Sequence, residues 1–174
     1  MDKNDFRQKC LTKLKHSQKR AYILDKKVQK QLDYVLKSYK PKSVLFYIPL
    51  KLEVDLNPLI RKYRKKLDIF VPFIEEKSFK MVKYRMPLKK GQFNIYEPKN
   101  SFFKQKDIDM IIVPVVGVDR DFKRVGFGKG MYDRFFEKLK NKPIVVFVQR
   151  KKCWTNQKVT DWHDISADIY ITPK

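Results

Sequence analysis

The most apolar stretch of the chain, residues 108–116, places the strongest limit on its fold. This stretch contains Pro114, and the apolar run around it is about half the ~20 residues that a membrane-spanning helix requires. Short apolar runs of this kind are typical of strands that are buried on both faces of a sheet. The sequence therefore predicts that residues 108–116 form a central strand.

Helical and extended patterns alternate along the chain. Apolar residues at helical spacing predict helices over residues 2–16, 21–39, 56–63 and 131–139. Short β-branched and aromatic runs predict strands over residues 43–49, 67–73, 79–84, 143–148 and 169–172, with a short extended piece at 93–98. No repeat or linker separates these elements, so the sequence predicts a single α/β domain over residues 1–174.

The predicted central strand leads into a loop that is rich in glycine. Gly126, Gly128 and Gly130 are three of the five glycines in the chain. Alternate glycines lack the Cβ atoms that would hold a ligand away from the main chain, and they permit positive φ, so backbone N–H groups can turn toward an anion. Arg124 and Lys129 add positive charge, and the helix predicted after the last glycine would begin there. The loop is therefore a candidate phosphate site.

The spacing of this loop fits neither common nucleotide motif. A Walker A loop needs Ser or Thr directly after its lysine, and Gly130 stands in that position. A dinucleotide fingerprint needs Gly-x-Gly-x-x-Gly, which the loop does not have. A tight turn without a ligand is the alternative interpretation. Asp133, at the start of the predicted helix, favours the ligand, because Mg²⁺ commonly takes one or two protein carboxylates beside substrate phosphates.

The chain is strongly basic, with 41 Lys and Arg residues against 19 Asp and Glu residues and a net charge of +22. This charge makes a nucleic-acid-binding protein the alternative function. Lysines spread along the whole chain are more typical of a solvated surface, since planar recognition of phosphates and bases favours arginine. The sequence also lacks an RNA-recognition, zinc-finger or helix-turn-helix signature.

The two cysteines, Cys10 and Cys153, stand alone in the sequence, without metal-ligand spacing. This isolation argues against a disulfide scaffold and against a zinc site. The first residues, Met1 to Asp5, lack the apolar segment of a secretory signal. We therefore predict a soluble, cytoplasmic protein that does not bind membranes.

Several motifs, in a consistent order along the chain, resemble one known family. The central matches are Val113 to Asp119 and Arg124 to Arg134, the latter reading Arg-Val-Gly-Phe-Gly-Lys-Gly-Met-Tyr-Asp-Arg. Supporting matches are Lys3, Arg7, residues 47–49, 53–55, 71–72 and 93–98, and Asp164. Together they resemble 5-formyltetrahydrofolate cyclo-ligase, also called methenyltetrahydrofolate synthetase. The resemblance implies a three-layer α/β/α domain with a mixed, mostly parallel central sheet, of the NagB/RpiA/CoA-transferase-like fold.

The resemblance implies a ligase that depends on ATP and Mg²⁺. In that family the γ-phosphoryl group of ATP goes to the formyl oxygen of 5-formyltetrahydrofolate. N10 then attacks the activated carbon, and phosphate leaves to give 5,10-methenyltetrahydrofolate. Phosphoryl transfer depends mostly on positioning and charge neutralisation, which basic residues and a glycine backbone can supply. We expect a monomer that binds folate and ATP as small molecules and has no specific nucleic-acid partner.

The resemblance also implies roles for individual residues. The catalytic residues would be Arg124 and Lys129. The ATP-binding residues would be Lys3, Arg7, Arg124, Gly126, Gly128, Lys129, Gly130, Met131 and Tyr132. The substrate-binding residues would be Leu50, Glu53, Asp55, Phe93, Phe127 and Met131. The metal ligands would be Asp133 and Asp164.

Some of these residues have structural alternatives. Asp55 could cap the helix that follows it, and Glu53 could be an exposed loop carboxylate. Phe93 could belong to the core, and Lys3 and Arg7 could lie on a solvated helix face.

Three positions depart from the family pattern: Met131, Phe122, and Phe73, which replaces an often polar or basic residue after the proline of the second predicted strand. Met131 replaces a tyrosine, so a hydroxyl expected beside the substrate is missing. Phe122 stands where a turn glycine is common, and Asp121 is the residue expected to supply that turn.

Overall fold

A six-stranded sheet lies at the centre of the computed structural model, which describes residues 1–100 and 107–174. Its helices are α1 (Lys3–Ser17), α2 (Ala21–Tyr39), α3 (Asn57–Tyr63) and α4 (Met131–Phe136), with 3₁₀ turns at Gln18–Arg20 and Gln92–Asn94. Its strands are β1 (Ser43–Leu45), β2 (Asp68–Glu75), β3 (Ser78–Lys83), β4 (Lys89–Lys90), β5 (Tyr96–Glu97), β6 (Met110–Pro114), β7 (Gly117–Val118), β8 (Arg124–Val125), β9 (Ile144–Val148) and β10 (Ile169–Ile171).

The order of the central sheet is β10-β9-β6-β1-β2-β3. All neighbouring strands are parallel except β2 and β3, which are antiparallel. The strand β6 lies inside this sheet and every one of its residues is buried, so the predicted central strand is confirmed. It is shorter than predicted because the backbone N–H of Val116 donates to Val125 and no longer pairs within the sheet.

Helices cover both faces of the sheet, because successive residues of a strand point to opposite sides. On one face, Ile112 packs in a buried cluster with Leu32 of α2 and Ile60 of α3. On the other face, Ile111 packs in a second cluster with Phe135 of α4. The predicted three-layer α/β/α arrangement with a mixed, mostly parallel sheet is confirmed.

The long helices lie where their apolar spacing predicts. The carboxylate of Asp2 caps α1 by accepting the backbone N–H groups of Asn4 and Asp5. In contrast, α4 ends at Phe136, earlier than the predicted end at residue 139. Beyond it, the backbone N–H groups of Lys138 and Leu139 donate to carbonyls only three residues earlier, which is the pattern of a tight turn. Within the described parts of the chain, helices long and apolar enough to cross a membrane are absent.

The first helix packs against the small hairpin of β7 and β8 and forms a third buried cluster there. Phe6, Cys10 and Leu14 of α1 are buried in it beside Val125. Gly117 makes this close approach possible, since a Cβ atom there would lie 2.6 Å from the ring of Phe6. The helix α1 therefore packs against the β7–β8 hairpin, which directly precedes the glycine loop.

Cys10 and Cys153 form a disulfide whose Cα atoms are 5.6 Å apart. The expectation that these residues do not form one was wrong. They are separated by 143 positions in the sequence, and only the packing of α1 against the segment after β9 brings them together. Spacing along the chain cannot reveal a pair of this kind.

Candidate active site

A cavity of about 230 Å³ lies at the carboxyl ends of the parallel strands β1 and β6. α/β proteins commonly bind ligands at this edge of the sheet. Its walls are mostly apolar, and its charged lining residues are Glu53, Arg124 and Lys129. The predicted substrate-binding residues that line it are Leu50, Glu53, Phe93, Phe127 and Met131.

Asp55 does not line this cavity, in contrast to its neighbour Glu53. Its Oδ1 atom accepts the backbone N–H of Asn57 at 3.0 Å and the side-chain amide of the same residue at 2.9 Å. The N-cap of α3 is Leu56, which makes no side-chain capping bond, so Asp55 lies one residue before the cap and its carboxylate forms a turn with Asn57 in place of the cap that the alternative proposed. Its role in substrate binding stays a prediction.

Glu53 brings a carboxyl group into the cavity. Burial raises the pKa of Glu53 to about 7, against lowering contributions from the backbone N–H of Leu50, which donates to Oε2 at 2.8 Å, and from the charges of Arg124 and Arg150. The proton on Glu53 therefore binds and leaves near neutral pH. The side chain of Glu53 is half-buried and lines the cavity, so the alternative of an exposed loop carboxylate is wrong.

We expect Glu53→Gln to raise the free energy of unfolding at about pH 8 by roughly 1–3 kcal/mol. Between pH 4.5 and about 7 the folded protein keeps a proton on Glu53 that the unfolded chain releases, so stability falls as pH rises through this window. Because glutamine does not titrate, the variant does not lose stability as pH rises through this window. Urea denaturation at about pH 8 and near pH 4.5 measures it.

The matched control for this prediction is Glu137→Gln, which removes the carboxylate of an exposed glutamate. We expect the control to leave stability nearly unchanged at both pH values. An equal change for Glu53→Gln at the two pH values would contradict the assignment, because the effect arises from titration.

Arg124 is buried between the cavity and the glycine loop, with 7% of its surface exposed. Its Nε donates to the carbonyl of Pro114 at 3.2 Å, and its guanidinium lies 4.9 Å from the ring centre of Tyr132. Burial lowers the pKa of Arg124, and the nearby carboxylate of Asp133 raises it. Arginine nevertheless stays charged in proteins, so a fixed positive charge faces the cavity.

The glycines of the loop have two different structural roles. Gly128 and Gly130 adopt φ values of +96° and +60°, a region that side chains rarely occupy. Gly126 instead makes room, because a Cβ atom there would lie 2.5 Å from the guanidinium of Arg124. The predicted positive φ is therefore present at Gly128 and Gly130, whereas the space at Gly126 is filled by Arg124, and the close approach of a ligand to the main chain stays a prediction.

Both predicted cations of the first helix bond residues that are far away in sequence. The Nε of Arg7 donates to the carbonyl of Gly126 at 2.9 Å. The Nζ of Lys3 lies 2.5 Å from Asp164 and 3.2 Å from Asp161. The solvated-face alternative for Lys3 and Arg7 is therefore wrong, because Arg7 bonds the backbone of the loop and Lys3 pairs with Asp161 and Asp164.

Carboxylates gather on the same side of the loop. Asp133 accepts the backbone N–H of Ile165 at 3.4 Å and lies 3.9 Å from Arg124. Asp164, with only 5% of its side chain exposed, precedes Ile165 directly. Carboxylate oxygens are the ligands that Mg²⁺ prefers, so the chemistry of these residues fits the predicted metal, but the group of ligand atoms that lie together around Asp164 does not include Asp133.

Two further residues that could hold a metal ion were not predicted from the sequence. Asp161, His163 and Asp164 each offer one ligand atom, and these atoms lie within 4.8 Å of one another. The closeness of these positions along the chain is the only sequence signal that could have found Asp161 and His163.

Phe93 and Lys129 close the rim of the cavity. The Nζ of Lys129 lies 3.1 Å from the ring centre of Phe93, an attractive contact between a cation and an aromatic ring. Phe93 is 52% exposed, so the core alternative for it is wrong. The extended piece predicted at 93–98 begins later, because Phe93 lies in a 3₁₀ turn with φ of +56° and only Tyr96–Glu97 is strand.

Asp119, and not Asp121, holds the turn before the loop. Its buried Oδ1 accepts the backbone N–H groups of Asp121 and Lys123, at 3.0 and 3.1 Å. Phe122 itself takes the positive φ of +55° that glycine would favour. The expectation for Asp121 was therefore wrong, because the carboxylate that bonds this backbone belongs to a buried residue two positions earlier.

The structure thus joins two chemically different regions. One is an apolar cavity with a single carboxyl group at Glu53, which suits a flat, partly polar ring. The other is a glycine loop with the cations Arg7 and Lys129, together with Lys3 and the carboxylates that it pairs with, which suits a phosphate ligand and its metal ion. Arg124 lies between them. The fold and site therefore define an α/β protein that can bring a phosphate-bearing ligand against a bound ring.

Comparison with known proteins shows which family has this arrangement. The sequence profile of the 5-formyltetrahydrofolate cyclo-ligase family matches residues 1–173. The chain belongs to this family.

Individual relatives agree with the family match. The chain is 30% identical, over 142 residues, to a 5-formyltetrahydrofolate cyclo-ligase of Mycoplasma pneumoniae, which covers 80% of this chain and 79% of the relative. It is 32% identical to the solved 5,10-methenyltetrahydrofolate synthetase of Aquifex aeolicus, with a TM-score of 0.83, covering all of this chain and 91% of that one. The solved synthetase of Mycoplasma pneumoniae, at 22% identity and a TM-score of 0.76 over the full length of both chains, has the same fold.

Proposed function

We propose that this protein converts 5-formyltetrahydrofolate to 5,10-methenyltetrahydrofolate, with ATP consumed and ADP and phosphate released. The observation that carries the proposal is that a single cavity extends from Leu50 and Glu53 to Arg124, Lys129 and Gly130 of the glycine loop. A folate ring and a phosphoryl donor could meet in that cavity. The family match and the activities named for its relatives support the same reaction.

Charge neutralisation is the main contribution we assign to the protein. ATP supplies the phosphoryl group that converts the formyl oxygen into a leaving group, so that N10 can close the ring. Arg124, fixed by the carbonyl of Pro114, and Lys129, at the rim, would stabilise the negative charge of the group in transfer. Because Arg124 is already held in place, little reorganisation is needed when that charge develops.

The residues around the loop fit ATP and Mg²⁺ by their chemistry. Lys3 and Arg7 would bind phosphate oxygens from the side of α1, and backbone N–H groups near Gly128 would add donors. Asp133 and Asp164 would hold Mg²⁺. Since α4 has only six residues, we assign the binding of phosphate to these side chains and to the loop, and not to the dipole of the helix.

The ring of the folate would occupy the apolar part of the cavity. Glu53 offers a carboxyl group to the polar edge of such a ring, while Phe127 and Met131 supply apolar contacts. Met131 brings no hydroxyl to this position, so the proposed mechanism does not use one there. The phenol group nearest in sequence is that of Tyr132, and burial raises its pKa well above the ordinary value.

The test is to mix the protein with 5-formyltetrahydrofolate, ATP and Mg²⁺ and to follow the absorbance of the methenyl product. We expect product only when ATP and Mg²⁺ are both present. Reactions without ATP, or with heat-denatured protein, are the controls. Absence of product with a folded protein would refute the proposed activity.

Other features of the protein are part of the same proposal. We propose that residues 1–174 form one cyclo-ligase-like domain, which the match over residues 1–173 supports. A cytoplasmic location and a monomeric state also stay predictions. The disulfide Cys10–Cys153 bears on the location, because disulfides are uncommon in reducing compartments. The comparisons give no support to the nucleic-acid-binding alternative.

A further inference from the structure

Arg150 is a buried cation that lies outside the cavity lining. It lies two residues after the end of β9, and only 4% of its surface is exposed. Its Nε and Nη2 atoms donate to the two carboxylate oxygens of Asp25 on α2, at 2.7 and 2.9 Å. Asp25 is also buried, with 5% of its surface exposed. The pair therefore has the two-pronged geometry of a strong, directional contact.

The same two side chains bind the backbone of residues 51–55. The Nη1 of Arg150 donates to the carbonyl of Lys51 at 3.0 Å, and its Nη2 donates to the carbonyl of Glu53. The Oδ2 of Asp25 accepts the backbone N–H of Asp55 at 3.1 Å. Three backbone groups within five residues are thus fixed by one buried ion pair.

A second side chain of α2 completes this contact. The side-chain amide of Gln29 donates to the carbonyl of Asp55 at 2.6 Å. The helix therefore holds the far end of the segment through both its N–H and its C=O group. The side chain of Glu53 meanwhile lines the cavity.

An ion pair buried in this way is a poor means of stabilising a fold. The cost of removing both charges from water often equals or exceeds their attraction, and apolar residues of similar size can stabilise equally well. What the pair supplies is direction, because each donor of a guanidinium has a fixed orientation. The pair directs its hydrogen bonds to the loop that carries Glu53, the half-buried carboxyl group of the cavity.

We propose that the Arg150–Asp25 pair positions Glu53, by fixing the backbone of residues 51–55, so that its carboxyl group meets the ring of the substrate. This inference rests on the proposed function for the identity of that ring. Arg150 and Asp25 are positioning residues, since neither lines the cavity.

The inference predicts an effect on one substrate only. The cations at the ATP end are held by other contacts, Arg7 by the carbonyl of Gly126 and Arg124 by the carbonyl of Pro114. Loosening residues 51–55 should therefore raise KM for 5-formyltetrahydrofolate and leave KM for ATP nearly unchanged. A general loss of stability would not raise KM for 5-formyltetrahydrofolate while leaving KM for ATP unchanged.

The variants that test it are Asp25→Asn and Arg150→Lys. The first keeps the shape of the side chain and removes the charge, and the second keeps the charge and removes the two-pronged geometry. The matched control is Asp33→Asn, which removes another aspartate of α2. Asp33 pairs with Lys37 at 2.7 Å and Lys62 at 2.6 Å, and it lies far along the helix from Asp25. If Arg150→Lys fails to fold, Asp25→Asn decides the test.

We expect the folate KM of Asp25→Asn and Arg150→Lys to rise on the order of 10-fold, the scale of a lost hydrogen bond to a charged group. The ATP KM should stay within about 2-fold of the parent, and Asp33→Asn should change neither constant. Equal increases in both KM values, or the same increase in Asp33→Asn, would overturn the proposal.

Amide hydrogen exchange tests, without relying on activity, whether the Arg150–Asp25 pair fixes the backbone of residues 51–55. We expect faster exchange within residues 51–55 in Asp25→Asn and Arg150→Lys, and parent-like exchange there in Asp33→Asn. If the parent protein forms no methenyl product, the proposed function fails, and the exchange result still decides whether the pair fixes the segment. Unchanged exchange of residues 51–55 in both Asp25→Asn and Arg150→Lys would refute the positioning role.

Discussion

Replacing Lys129 with alanine should lower kcat of the ATP-dependent reaction by ~10²-fold or more, the usual cost of removing one preorganised group that stabilises transition-state charge. Lys129 is exposed, and its side chain contacts the ring of Phe93 while its backbone carbonyl accepts from Arg134, a bond that alanine keeps, so the fold should survive the change. Steady-state kinetics with saturating ATP measure kcat, and a thermal melt confirms that the variant is folded.

The matched control for this variant is Lys138→Ala, which removes another exposed lysine beyond the end of α4. It should react at the rate of the parent. Asp133→Asn provides a second test of the same loop, because it should also lose ATP-dependent turnover through weaker use of Mg²⁺. Turnover like that of the parent in either Lys129→Ala or Asp133→Asn would show that the loop has been assigned wrongly.

Reduction of the Cys10–Cys153 disulfide should lower the free energy of unfolding by about 5 kcal/mol. This value follows from the chain entropy that a link across 143 positions removes from the unfolded state, and it is an upper estimate. Urea denaturation with and without a reducing agent measures the difference, with thiol titration to confirm that the bond has been broken.

The control for this prediction is the double variant Cys10→Ser with Cys153→Ser, which should be as unstable as the reduced parent and insensitive to the reductant. The affinity for ATP should also fall on reduction, because the bond anchors the helix that carries Arg7 to the loop and Lys3 to Asp164. Equal stability of the oxidised and reduced protein would contradict the structural importance of the bond.

Local patterns were sufficient to predict the order of the elements. The continuous apolar run of β6 identifies a strand buried on both faces, and the apolar spacing of α2 identifies a helix that covers the sheet. The ends were less predictable. β6 ends at Pro114 because Val116 pairs with Val125, a partner that no local pattern specifies.

The same distinction applies to the site. The glycine loop and its cations could be predicted because the residues that form it are close in sequence, and the family resemblance added Lys3 and Arg7. Arg150 could not be predicted, because its residue type in a basic, irregular segment is also typical of a solvated surface. Its function arises from Asp25 and residues 51–55, which approach it only in the folded protein.

The position of α1 has a consequence for how the protein is made. This helix is synthesised before its partners Gly117, Gly126, Cys153 and Asp164, which follow it by about a hundred residues or more. Contacts between such distant parts of a chain form slowly, since a long loop must be closed first. A nascent chain that stops before Cys153 therefore has neither the anchor of α1 nor the carboxylate that binds Lys3, and it should not bind ATP.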